Sequence, residues 1–135
     1  MDAGARLTTV DVDSEPVEVA RRHLGADPRV EFRVEDAAVF LRAPDRGPYD
    51  LVFADAFPGK YQALDRALAL LAPGGLYVVD DLLPKADWPE GEPLTRALVA
   101  KLESLAELAV VKLAWSTGLL VATRRGVDIM PASDV

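Results

Sequence analysis

The sequence of 135 residues contains no cysteine and a single histidine, His23. The absence of cysteine excludes disulfide bonds, thiolate metal sites and a cysteine nucleophile. With one histidine on a predicted helix and no Gly-x-Ser-x-Gly motif, a hydrolase of the Ser-His-Asp type is also excluded. The chemistry of the chain must therefore come from carboxylates, lysines and aromatic side chains.

The sequence also lacks a basic tract and a long apolar segment. Its formal net charge is −7, and a nucleic-acid-binding protein usually needs a basic stripe that displaces counterions from phosphates, so we expect no nucleic-acid partner. No apolar run is long enough to span a bilayer and no secretory pattern opens the sequence, so we expect no membrane partner and a cytoplasmic location. A small molecule remains as the expected partner.

Half of the residues are hydrophobic, and the length is that of one domain, so we expect a single domain over residues 1–135. Short apolar runs predict six strands: Arg6–Val12, Val30–Val34, Asp50–Asp55, Leu76–Asp80, Val110–Trp115 and Leu119–Thr123. Segments of helical periodicity separate most of them, which is typical of an α/β fold with a parallel sheet. Only Ser116-Thr117-Gly118 separates the last two strands, so these must be antiparallel.

Local signals predict where helices begin and end. Ser14 is the expected N-cap of the first helix and Gly25 its end. The spacing of Leu64, Ala67, Leu68 and Leu71 predicts a helix that Pro73-Gly74-Gly75 ends. Three prolines in Leu82–Pro93 predict a loop.

Carboxylates follow three of the predicted strands: Asp11 the first, Asp55 the third, and Asp80 with Asp81 the fourth. Apolar runs without alternation indicate parallel strands covered on both faces. Ligands of an open α/β sheet bind outside the carboxyl ends of its strands. We therefore expect these acids to meet at one crevice.

The order of elements and two segments, Phe53-Ala-Asp-Ala-Phe-Pro-Gly-Lys-Tyr61 and Val78-Val-Asp-Asp-Leu-Leu-Pro84, resemble the class I S-adenosylmethionine-dependent methyltransferases. Within them the chain is similar to the small-molecule O-methyltransferases of the catechol and caffeoyl-CoA type. The resemblance implies a Rossmann-like sheet, mostly parallel, with a C-terminal antiparallel hairpin. It also implies S-adenosylmethionine as the cofactor and methyl transfer to an oxygen of a small molecule.

In that family the first strand and its glycine-rich cofactor loop would precede residue 6, where this sequence does not have them. We therefore expect a sheet whose first strand is missing, and weak or absent cofactor binding by this chain. An exposed gap in a sheet favours pairing with another chain, so we also expect a homo-oligomer.

The resemblance assigns cofactor contacts to five positions. Asp11 matches the acid that accepts hydrogen bonds from the ribose hydroxyls, and Asp36 with Ala37 matches the position at the adenine edge. Phe57 matches an aromatic residue beside the adenine ring, and Asp55 is the fifth position. Two plainer interpretations stay open, since Asp11 could cap the next helix and Asp36 could be a helix cap or a solvated acid.

The resemblance also places a divalent cation such as Mg²⁺ on Asp55, Asp80 and Asp81. Two other interpretations stay open, in which these acids orient a substrate hydroxyl or amine, or Asp80 and Asp81 begin a solvated loop. Asp55 and Lys60 are the candidate catalytic residues. The lysine of metal-dependent relatives falls at Pro58 here, so Lys60 is displaced by two positions.

Two rival functions are compatible with the sequence. A Tyr-Asp-x-x-x-x-Asp strand beginning at Tyr49 resembles an aminopropyltransferase of the spermidine-synthase type. The missing glycine-rich loop favours a binding or assembly module without turnover. Trp88 either forms a wall of the substrate pocket or packs against the last helix.

Overall fold

The computed structural model describes residues 4–44, 46–84 and 87–126. The strands are β1 (Leu7–Asp11), β2 (Val30–Val34), β3 (Tyr49–Ala54), β4 (Leu71–Val79), β5 (Leu108–Leu113) and β6 (Leu119–Arg124). The helices are α1 (Ser14–Leu24), α2 (Ala37–Arg42), α3 (Phe57–Lys60), α4 (Leu64–Ala69) and α5 (Gly91–Ser104). The predicted α/β class is confirmed. None of the helices in the described ranges is long and apolar enough to span a membrane.

The chain forms two compact units, residues 1–44 and residues 45–135. In the first unit, β1 and β2 pair in parallel, from Leu7 opposite Val30 to Asp11 opposite Val34. Helix α1 connects these strands, and α2 follows β2. The sheet expected in one piece is thus present as a pair of strands here and a second sheet in the other unit.

The first helix is capped by Asp13 rather than by the predicted Ser14. Asp13 has an extended backbone, and its carboxylate accepts a hydrogen bond from the backbone N–H of Glu15. Ser14 is already helical, so its side chain lies one residue too late to act as the cap. The predicted end at Gly25 is confirmed, because the Gly25 N–H donates to the carbonyl of Arg21.

The second unit contains a four-stranded sheet in the order β3-β4-β6-β5. Strands β3 and β4 are parallel, whereas β6 is antiparallel to both β4 and β5. The predicted C-terminal antiparallel hairpin is therefore confirmed. Because this hairpin lies next to a parallel pair of strands, the sheet is mixed, as the sequence predicts.

Two predicted boundaries in the second unit are wrong. Helix α4 ends at Ala69, and β4 already begins at Leu71. Tyr49 pairs with Leu71 and Leu51 with Leu76, so the Pro73-Gly74-Gly75 segment is an insertion within β4 rather than a helix end. Gly74 has φ of 80°, a conformation that glycine adopts without strain.

Helix α5 begins at Gly91, inside the segment that its prolines mark as a loop. Pro93 lies in the first turn of α5, where a missing N–H costs nothing because that N–H has no partner within the helix. The proline count of Leu82–Pro93 therefore overestimates the length of the loop.

The sheet of the second unit is covered on one face only. Tyr77, Val79, Leu120 and Ala122 are fully buried on the covered face. The opposite face, called here the open face, presents the exposed side chains of Leu51, Phe53, Val111 and Leu113. The prediction that the strands are covered on both faces is wrong for the described residues.

Candidate active site

The candidate site of the second unit lies where β3 and β4 end. Ala54 pairs with Val79, so Asp55 and Asp80 follow directly at neighbouring strand ends. Asp55 is exposed, and Asp80 and Asp81 are partly buried. Among the residues that the structure describes, no three Asp, Glu, His or Cys side chains are grouped closely enough to hold a metal ion. The cation on Asp55, Asp80 and Asp81 remains a prediction.

The Asp80 carboxylate is engaged by the protein itself. Its Oδ1 accepts hydrogen bonds from the Asp81 backbone N–H at 2.6 Å and from the Thr117 hydroxyl at 2.5 Å. Just beyond, Leu82 N–H donates to Gly118 O at 3.1 Å and Leu83 N–H to Thr117 O at 2.8 Å. Asp80 therefore fastens the segment after β4 to the β5–β6 turn, and the sequence gives no signal for the contribution of Thr117.

Lys60 reaches the same strand end through a buried contact. Lys60 is only 4% exposed to solvent. Nζ donates to the carbonyl of Asp80 at 2.5 Å and to that of Asp81 at 3.5 Å, and lies 5.2 Å from the centroid of the Tyr61 ring. A buried charge requires such partners, since desolvation would otherwise be costly. The structure thus brings Lys60 together with Asp80 and Asp81.

The short segment α3 is what carries Lys60 inward. Pro58 is extended within it and Gly59 has φ of 89°, so the chain folds sharply before Lys60. The Tyr77 hydroxyl, from the covered face of β4, donates to Gly59 O at 2.5 Å. Tyr77 and Lys60 therefore bind the segment after β3 to β4 in two places. Nothing in the sequence marks Tyr77 for this role beyond its position in a buried strand.

Three aromatic rings line the segment between the strand ends and α5. The rings of Phe57 and Tyr61 are 5.3 Å apart, and those of Tyr61 and Trp88 are 5.9 Å apart. The Tyr61 hydroxyl forms a hydrogen bond of 2.9 Å with Thr95 of α5. Phe57, at one end of the row, is 51% exposed.

Trp88 packs against the last helix, one of the two interpretations given to it, and its place in a substrate pocket stays a prediction. Its ring packs so closely on Gly91, at the start of α5, that no Cβ would fit there. It also lines a cavity of about 340 Å³ between α5 and the segment after β4. Further residues around this cavity include Asp81, Leu82, Leu83, Pro84 and Val99. Most of the wall surface is apolar, and the charged residues in the lining are Asp81, Glu92, Arg96 and Glu103.

The acids predicted to contact the cofactor ribose and adenine lie in the first unit. Asp11 ends β1, and the N–H of Glu35, just after β2, donates to the carbonyl of Asp11 at 3.0 Å. Asp36 therefore follows at the same edge of this strand pair as Asp11. Ala37 begins α2 and is partly buried.

Each of these carboxylates uses one oxygen locally. Oδ1 of Asp11 accepts from the N–H of Asp13 at 2.9 Å, and Oδ1 of Asp36 accepts from the N–H of Ala38 at 2.7 Å as the N-cap of α2. Within the described ranges the second oxygen, Oδ2, has no hydrogen-bond partner in either residue. Each acid therefore keeps an acceptor for a ligand.

Comparison with known proteins identifies the family. Residues 2–114 match the O-methyltransferase family. The chain belongs to that family. No curated protein sequence matches it.

Several solved structures are similar to the chain. A putative O-methyltransferase of Klebsiella pneumoniae is 26% identical with a TM-score of 0.77, over 93% of this chain and 64% of its own. The O-methyltransferase TomG of Streptomyces achromogenes, solved with S-adenosylmethionine, is 26% identical with a TM-score of 0.76, over 93% and 65%. A Corynebacterium glutamicum protein is 28% identical with a TM-score of 0.73, over 89% and 61%. The chain thus spans less than two thirds of the length of these structures.

The hydrogen bond from Tyr77 predicts a specific pH dependence of stability. Burial, with a smaller contribution from Tyr61, raises the pKa of the Tyr77 phenol well above its ordinary value of 10. The unfolded chain loses this proton near pH 10 while the folded chain keeps it, so the free energy of unfolding falls as pH rises above about 10. Tyr77→Phe should lose about 1 kcal/mol at pH 7 and show a shallower fall at alkaline pH. Urea unfolding at several pH values measures both, and parallel curves for the two proteins would contradict the assignment.

Proposed function

We propose that the chain transfers a methyl group from S-adenosylmethionine to an oxygen of a small molecule. The observation that carries this proposal is the free carboxylate oxygen of Asp11 at the carboxyl edge of β1, in a member of the O-methyltransferase family. Neither the described structure nor the family match favours aminopropyl transfer or a module without turnover. A cytoplasmic location remains our expectation from the sequence.

The donor set of the first unit suits the adenosine half of the cofactor. Asp11 Oδ2 can accept from two neighbouring ribose hydroxyls at once, which is a charge-assisted contact. Asp36 offers its second oxygen, and the small side chain of Ala37 leaves space for the adenine edge. Phe57, whose ring is half exposed, belongs to the second unit, and its role beside the adenine ring stays a prediction from the resemblance. When bound, S-adenosylmethionine supplies the electrophilic methyl group on its sulfonium.

The cavity beside Asp81 is the proposed site for the acceptor. Its volume of about 340 Å³ is near the lower end of small-molecule pockets, enough for one substituted ring. Leu82, Trp88 and Val99 offer apolar contact to that ring. The Asp81 carboxylate can accept a hydrogen bond from the acceptor hydroxyl and take its proton as the oxygen gains the methyl group, while the C–S bond breaks and S-adenosylhomocysteine leaves. Asp55, exposed at the neighbouring strand end, is a second candidate for this role.

The proposed cation is not part of this reaction scheme. Carboxylate oxygens are suitable ligands for Mg²⁺. However, no group of three potential ligands is assembled among the described residues, and Oδ1 of Asp80 already accepts two hydrogen bonds. As arranged here, Asp55, Asp80 and Asp81 do not fit a ready-made cation site. The residues hold and orient the acceptor without a step routed through a metal.

Loss of the Asp11 charge should weaken cofactor binding selectively. Asp11→Asn replaces the ribose-binding oxygen, Oδ2, with an amide group that donates, so the Kd for S-adenosylhomocysteine should rise about tenfold or more. Asp13→Asn is the matched control, because it removes the same charge two residues away and asparagine still caps α1. Titration calorimetry measures both. Equal affinities for the two variants would contradict the proposed cofactor site, whereas no heat at millimolar ligand for the wild-type chain would match the absent binding expected without the glycine-rich loop.

We further propose that the chain forms a homo-oligomer through the open face and the free edge of β3. In the described part of the sheet, β3 pairs only with β4, which leaves one row of backbone groups unpaired. Leu51 and Phe53 are 55% and 56% exposed on that strand, and Val111 is 57% exposed on β5. An apolar face of this kind next to a free edge favours a second copy of the same surface.

Light scattering on a sizing column tests the oligomer. The wild-type chain should elute with the mass of at least a dimer, and Phe53→Glu should shift it to the monomer because a charge is then placed on the apolar face. Val39→Glu is the control, since Val39 is 58% exposed on α2 and does not belong to the open face. A wild-type monomer, or an oligomer indifferent to Phe53→Glu, would contradict the interface.

A further inference from the structure

Two successive backbone carbonyls converge on one buried ammonium at the end of β4. Lys60 Nζ donates to Asp80 O at 2.5 Å and approaches Asp81 O at 3.5 Å, from a residue that is 4% exposed. Carbonyls that follow one another normally point in different directions along an extended strand. Here they share a donor because the backbone turns at Asp81, where φ is 60°.

The turn at Asp81 has an energetic cost that the Lys60 contact offsets. A residue other than glycine at positive φ is disfavoured by about 1–2 kcal/mol, although aspartate tolerates it better than most. The contact from a charged donor stabilises the turn, and the Thr117 hydroxyl adds a second attachment through Asp80 Oδ1. The direction in which the Asp81 side chain leaves the backbone therefore depends on contacts of the Asp80 and Asp81 backbone and of the Asp80 carboxylate.

Lys60 is poorly arranged to act as a general base. Its ammonium donates to backbone oxygens within a buried position, and an amine that accepts a proton would need a free lone pair directed at the acceptor. The same contacts suit a residue that acts through another. The two acids that Lys60 touches by their carbonyls differ in use, since Asp80 accepts from Thr117 while Asp81 lines the proposed acceptor cavity.

We propose that Lys60 is a positioning residue. Its buried ammonium donates hydrogen bonds to the carbonyls of Asp80 and Asp81 and so holds Asp81 at the wall of the acceptor cavity. This inference rests on the proposed function. It predicts that loss of the Lys60 charge impairs the acceptor step more than cofactor binding, because Asp11, Asp36 and Ala37 belong to the other unit, while Asp55 and Phe57 share the unit of Lys60.

The test compares Lys60→Met with two controls. Lys101→Met removes an exposed lysine whose ion pair with Asp65 contributes little. Leu102→Val destabilises the fully buried core of α5 without touching the strand end, and so reports the effect of lost stability alone. If Lys60→Met does not fold, Lys60→Gln replaces it in the test, because the neutral amide of glutamine lacks both the charge and the length of the lysine side chain.

The first readout is amide hydrogen exchange of the wild-type chain and each variant. The N–H groups of Leu82 and Leu83, which bond to Gly118 O and Thr117 O, should exchange about tenfold faster without the Lys60 charge. In both controls, the exchange rates of the Leu82 and Leu83 N–H groups should stay unchanged relative to the rates of the N–H groups in β6. Unchanged amide exchange rates at Leu82 and Leu83 in Lys60→Met or Lys60→Gln would overturn the proposal that Lys60 holds this backbone in place.

The second readout is methyl transfer to a dihydroxybenzene, measured well below the unfolding temperature. Loss of the Lys60 charge should lower kcat by about tenfold to a hundredfold, with a much smaller change in the Kd for S-adenosylhomocysteine. Faster exchange with an unchanged kcat would overturn the positioning role and leave Lys60 a purely structural residue. No methyl transfer by the wild-type chain would instead overturn the proposed function. The exchange rates would then decide alone whether Lys60 holds the backbone of Asp80 and Asp81.

Discussion

The parallel pairing of β3 with β4 is the constraint on which the candidate active site depends. Because Ala54 lies opposite Val79, both strands end at the same level, and the acids that follow them begin at one edge. Two ties then close the segment after β3 onto β4, from the Tyr77 hydroxyl to Gly59 O and from Lys60 Nζ to Asp80 O. A shift of the register by one residue would turn Tyr77 to the other face of the sheet and remove the first of these ties.

Each unit contains candidate ligand-binding acids. In the first unit, Asp11 and Asp36 lie at the ends of a parallel pair of strands, each with an oxygen that the described part of the chain leaves unused. In the second unit, Asp80 accepts hydrogen bonds from the Thr117 hydroxyl and from the Asp81 N–H, and Asp81 lines the cavity beside α5.

Sequence patterns predicted most of the fold and the neighbouring strand ends that Asp55 and Asp80 follow. Apolar runs located the strands to within a few residues, and the three residues before Leu119 required the hairpin. Patterns could not reveal that Pro73-Gly74-Gly75 is an insertion in β4, since the same residues end helices as readily. Nor could they show that Lys60 is buried, because its partners are carbonyls, which every residue carries. Contacts between a side chain and backbone groups far along the chain cannot be predicted from the composition of a sequence or the spacing of its residues.

The most direct measurement of the central claim is the mass of the acceptor after incubation with this chain and S-adenosylmethionine carrying an isotope-labelled methyl group. With a dihydroxybenzene as the probe, the account predicts a product that has gained one labelled methyl group on oxygen. It also predicts that Asp81→Asn reduces the yield while cofactor binding persists. Absence of labelled product, or an aminopropyl group gained from decarboxylated S-adenosylmethionine instead, would contradict it.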